Sequence, residues 1–89
     1  MPYITPELRE DFEEPLQKLI NLLDWVDSDK IDGIMNYIIT RLILSQYNNS
    51  KYADYNSAIG VLECAKLELY RRLVAPYEDI KIEENGDVE

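Results

Sequence analysis

Histidine is missing from this chain altogether, and only one cysteine, Cys64, occurs among its 89 residues. Without histidine the commonest general base is gone, and a zinc site of the usual Cys/His type cannot form within one chain. A lone cysteine cannot make an internal disulfide. Lacking a histidine to activate it, Cys64 reads as a small buried side chain rather than a nucleophile. Basic residues are also scarce: nine against eighteen acidic ones, for a formal charge of −9. That balance repels phosphate backbones, so direct binding of nucleic acid is not expected. No apolar run approaches the ~18 residues of a membrane span. The stretch MPYITPELRE has neither the basic start nor the apolar centre of a secretory signal, which makes a cytoplasmic location the expectation.

Hydrophobic residues nonetheless make up 46% of the composition, enough for one small globular domain. A chain this short buries only roughly 60 to 65% of its unfolded surface, so its core is modest and a partner adds much. The acid is unevenly spread. Residues 77–89, YEDIKIEENGDVE, hold six acidic side chains and one lysine, leaving −4 for the rest.

The order of elements follows from capping signals and apolar spacing. Thr5 before Pro6 is a helix start, and a short turn is predicted over about 6–12. Pro15 is predicted to open a second segment at about 14–26, because inside a helix it removes a donor and strikes the preceding turn. There Leu16, Leu19, Ile20, Leu23 and Val26 share one face. Ser28 or Asp29 is expected to cap the next helix, about 29–47, in which Ile31, Ile34, Met35, Ile38, Ile39, Leu42, Ile43 and Leu44 cover most of the circumference. A helix so apolar lies between two neighbours or against a second copy of the chain.

A polar loop, YNNSKYADYNS, precedes a third helix, about 54–75, capped by Asp54 or a neighbour and ended by Pro76. Its apolar face is Tyr55, Ile59, Leu62, Ala65, Leu69 and Leu73, with Ala58 alongside. After it, Ile80 and Ile82 alternate with charges and Asn85-Gly86 is a hairpin signal. A small C-terminal β-hairpin is therefore expected, with Pro2–Ile4 as an additional short strand; an acidic disordered tail is the alternative. The fold class is all-α, a three-helix bundle-like domain over 1–76 followed by that hairpin or tail over 77–89.

The stretch LECAKLELYRR carries the densest chemistry, and its spacing points to helix-surface pairs. Glu63 with Lys66, and Glu68 with Arg71 and Arg72, stand three or four residues apart, where opposite charges stabilise a helix. Glu63 and Glu68 project about 140° apart and share no site unaided. No catalytic residue, metal ligand or cofactor site is therefore assigned. Tyrosines 37, 47, 52 and 55 gather around the loop between the second and third helices, and tyrosine suits surfaces that are dry at one end and wet at the other. The candidate interface is Ile34, Tyr37, Ile38, Arg41, Tyr47, Tyr55 and Tyr70, with Arg41 needing a carboxylate partner if buried.

The segments MPYI, NYIITRL and AIGVLECAKLELYRRLVAPYEDIKIEENGDV resemble a family of small uncharacterised proteins of bacteria, archaea and their viruses. The likeness implies a viral origin as one possible source, with the host cytoplasm as the location in that case, and brings no activity, cofactor or site residue with it.

The leading expectation from the residues is a non-catalytic module that self-associates as a homodimer or engages another protein. One alternative is an all-α, magnesium-dependent nucleotide hydrolase using Glu63, Glu68, Asp54 and Asp32 as oxygen ligands. Against it stands that none of these four acids belongs to a closely spaced Glu-x-x-Glu pair. Another is an acidic inhibitor or decoy whose tail meets a basic partner.

Overall fold

The computed structural model describes residues 3–89, and among them there is helix and no strand. Four α-helices follow in order: α1 (Pro6–Leu23), α2 (Ile31–Gln46), α3 (Tyr52–Leu69) and α4 (Ala75–Asn85). Between α3 and α4 the chain keeps winding through a π turn, Tyr70–Val74.

The start of α1 follows its sequence. Thr5 is extended at the N-cap, its Oγ1 accepts from the Leu8 amide at 3.3 Å, and Pro6 occupies the first turn. The expected break at Pro15 does not occur; α1 is one helix of 18 residues with Pro15 inside it. Pro15 withholds an amide from the Asp11 carbonyl, but this helix is solvent-exposed along most of its length, so water can take the open acceptor. At α2 the cap is Lys30, with no side-chain bond, rather than Ser28 or Asp29. Lys51 stands at the corresponding place before α3. Asp54 instead reaches backwards, accepting the Asn49 amide at 3.1 Å and so closing the loop before the helix.

Two further corrections concern the C-terminal third. Pro76 does not end the helix. The Ala75 amide bonds to the Tyr70 carbonyl, five residues back, and this wide turn lets the imino ring enter at the first positions of α4. Nor is there a β-hairpin: Ile80 and Ile82 lie on α4, and Asn85-Gly86 is a helix stop. Gly86 takes φ 88°, and its amide closes on the Ile82 carbonyl at 2.7 Å. A left-handed glycine just past a helix does this with little strain, so the same dipeptide that can turn a hairpin here ends a helix. The strand expected at Pro2–Ile4 lies partly outside the described residues; Tyr3 and Ile4 are irregular.

The helices splay rather than close on one another. The radius of gyration is 17.0 Å, against about 12 Å for a compact chain of this length. Ala58, 7% exposed, is the one buried residue among those described. Partial cover falls mainly on the end of α1 (Leu19, Leu23 and Val26 beyond it) and on one side of α2 (Ile31, Ile34 and Ile38). Cys64, expected to be buried, is exposed, because nothing packs over that part of α3.

Candidate functional site

Two surfaces concentrate the features that can engage a ligand or partner, a polar cluster at the π turn and the apolar flank of α2. The cluster is built around Glu68, in the last turn of α3. It accepts from Arg71 Nη2 at 2.8 Å and from Arg72 Nε, the i+3 and i+4 partners expected from the sequence. It also accepts the hydroxyl of Tyr3, and both guanidinium groups reach that same phenol oxygen, Arg71 at 2.9 Å and Arg72 at 3.0 Å. Arg72 lies over the Tyr3 ring, 5.7 Å from its centroid. The Glu68 side chain is 21% exposed, the most enclosed carboxylate among the ion pairs.

The electrostatics follow from these contacts. Donation by Tyr3 first, then by Arg72, holds the Glu68 carboxyl down at about 2 against the partial desolvation that opposes it. The same pairing moves Arg72 further above its ordinary range, through Glu68 first and Tyr3 second. One turn on, Tyr70 donates its hydroxyl to Glu78, and that bond raises the phenol above its usual value. Tyr70 thus ties the π turn to α4. Beside the cluster, Ala65, Glu68, Leu69, Arg72 and Leu73 line an open, mainly apolar groove of about 570 Å³.

On α2, Ile34, Tyr37, Ile38 and Arg41 follow one strip of the helix. Ile34 and Ile38 are partly covered, while Tyr37 and Arg41 are exposed. Arg41 finds no carboxylate among the described residues. Its Nη1 donates to the Tyr37 hydroxyl at 2.8 Å and its charge sits 5.7 Å from the Tyr37 ring centroid. Being exposed, it does not need the acid that a buried guanidinium requires. A shallow groove of about 380 Å³ runs here, lined by Tyr37, Ile38, Arg41, Leu42 and Ser45. Tyr47 is half-buried at the end of α2, Tyr55 is exposed on α3 and Tyr70 is exposed at the π turn.

The acidic residues do not converge. Glu63 pairs with Lys66 at 3.1 Å, Asp54 serves its loop, Asp32 lies in the first turn of α2, and Glu68 is held by Tyr3 and two arginines. Among the described residues no three acidic or cysteine side chains gather as a metal site would require. Among the described residues, no helix is long and apolar enough to cross a membrane.

Sequence reasoning missed Tyr3. Its partners lie 65 to 69 positions away, and an irregular N-terminal tyrosine carries no local signal of what it will touch. The Glu68–Arg71–Arg72 half of the cluster was legible because helix geometry alone brings those three together.

Neither a curated protein nor a solved structure matches this chain. A family model does match, over residues 1–88, and its description is a domain of unknown function, DUF6899. With all but the last residue matched, the chain belongs to that family.

Proposed function

We propose that this protein is a non-catalytic, self-associating helical module, and that its three-helix, bundle-like core is completed by a second copy. One observation carries the reading, the mismatch between apolar content and burial. The accessible surface is 8093 Å², whereas a compact monomer of 10.4 kDa exposes about 5,400 Å². The difference, about 2,700 Å² per chain or about 5,400 Å² for two, lies at the upper end of what obligate dimers remove from water. Large apolar side chains account for much of it: Phe12, Leu16, Leu42, Leu44, Ile59, Leu69 and Leu73 are all half or more exposed. Covering 1,000 Å² of such surface is worth roughly 25 kcal/mol before the costs of association and ordering are subtracted.

Catalysis receives no comparable support. The titratable cluster at Glu68 is internally satisfied: its carboxylate is neutralised by two guanidinium groups that also bind Tyr3. This is the arrangement of a structural clasp.

Sedimentation equilibrium on the purified full chain tests the reading. A stable dimer or higher oligomer at micromolar concentration is the expected outcome. A monomer that remains folded and cooperative in thermal unfolding refutes it.

A further inference from the structure

We infer that the second copy docks on one particular strip of α2, the seam Met35, Ile39, Leu42 and Gln46, as a helix-to-helix pair. This rests on the self-association proposed above and assigns its contact surface. Three observations converge on it.

The first is spacing. These four residues are separated by four, three and four positions, the alternation that keeps side chains on the seam between two helices crossing at a shallow angle. The second is exposure. Ile31, Ile34 and Ile38, on the neighbouring strip, are already partly covered within the chain, while Met35, Ile39 and Leu42 are 40%, 40% and 59% exposed. The seam is therefore one open strip of the apolar surface of α2, displaced by about one residue from the strip of Ile34 and Ile38.

The third is charge, which selects the occupant. Two copies of a −9 chain repel each other wherever like charge meets like charge. Helix α2 holds one acid, Asp32, and one base, Arg41, and is formally neutral; α1, α3 and α4 each carry an acidic excess. A second copy can approach α2 without meeting net charge of its own sign. An unrelated partner that recognised this acidic protein by charge would settle elsewhere. The excess of about 2,700 Å² per chain over a compact monomer is more than one helix pair covers. The seam is thus the centre of the contact and not the whole of it.

Leu42 and Leu44 supply a matched pair for the test. They are 59% and 60% exposed but point about 160° apart on the helix. By sedimentation equilibrium on the full chain, Leu42→Glu should weaken self-association at least tenfold, while Leu44→Glu should leave it within about threefold of the parent. Association should strengthen on raising the salt from 0.05 to 0.5 M, because the copies repel through their acidic surfaces. Should Leu42→Glu fail to fold, a second measurement uses Leu42→Cys and Leu44→Cys, each with Cys64→Ser. A short bis-maleimide should join two chains through position 42 and not through position 44, in either helix orientation. Undiminished association of Leu42→Glu, equal loss in Leu44→Glu, or equal cross-linking at both positions overturns the seam. A monomeric parent protein instead overturns the self-association on which the seam rests, so the two failures are distinguishable.

Discussion

The π-turn end of the molecule and the α2 flank solve opposite problems. Around Glu68 the polar groups are matched: one carboxylate, two guanidinium groups and a phenol satisfy one another within a single chain. Along α2 the apolar groups are unmatched, with Met35, Ile39, Leu42 and Leu44 open to water. The contrast reflects how the two forces scale. A hydrogen bond or ion pair needs only two or three correctly placed atoms, and helix spacing provides most of them. Burial needs volume on both sides of a side chain, and four splayed helices enclose little beyond Ala58. The polar end is accordingly complete in one copy, and the apolar flank is not.

The largest effect should come from breaking the apolar side alone. Placing a charge at Leu42 is expected to dissociate the protein while the equally exposed Leu44 tolerates it, and analytical ultracentrifugation reads both. If the polar end is self-sufficient, the Leu42→Glu chain should retain the Glu68 cluster even as a monomer, visible as an unchanged Glu68 titration.

Relieving the interruption in α1 should have the next largest effect. Proline inside a helix is about 3 kcal/mol less favourable than alanine, and water softens that penalty at an exposed site. Pro15→Ala should raise the free energy of unfolding by about 1 to 3 kcal/mol, measured by urea denaturation at fixed protein concentration, since the proposed association would contribute to the same number. No gain would mean that the open carbonyl of Asp11 costs nothing in this helix.

Breaking the polar end should cost less. Glu68→Gln removes both ion pairs and the anionic acceptor of Tyr3, and is expected to lower the thermal midpoint by a few degrees and release the N-terminal segment, seen as narrowed Tyr3 resonances. Self-association should be spared. The pH dependence has a definite sign: the folded-state value of Glu68 lies below its ordinary 4.5, at about 2. Its contribution to stability is fully present above pH 4.5 and is lost as the pH falls through about 2.

The finest test separates Tyr3 from the arginines. Its hydroxyl is the largest single influence on Glu68, so Tyr3→Phe should raise the Glu68 midpoint from about 2 toward 4.5 in a carboxyl-resolved NMR titration. An unmoved midpoint would leave the arginines as the sole cause and remove the long-range half of the cluster.

Legibility in the sequence divides along the same line as the two regions. Thr5 and Pro6 announced the start of α1, the apolar density of α2 announced a helix with too many faces to cover, and Glu68 announced its pairing with Arg71 and Arg72. Each rests on interactions within four residues. Where the structure departs from the sequence expectation, a residue has two local solutions and its neighbours choose. Proline lacks an amide and so marks a break by residue type, yet an exposed helix tolerates Pro15 and a π turn absorbs Pro76. Asn85-Gly86 suits a hairpin or a helix terminus, and the helix running through Ile80 and Ile82 decided in favour of the terminus. Cys64 was placed inside on residue type, and the open packing over α3 left it outside.

From the sequence alone came the helical character of the chain, its acidic surface, and the surplus of apolar side chains on α2, because composition and short-range spacing carry all three. Only the tertiary arrangement decided that the surplus stays uncovered in a single copy, and that Tyr3 closes on a cluster more than sixty residues away. Both depend on where whole helices lie in space, which no window of a few residues can encode.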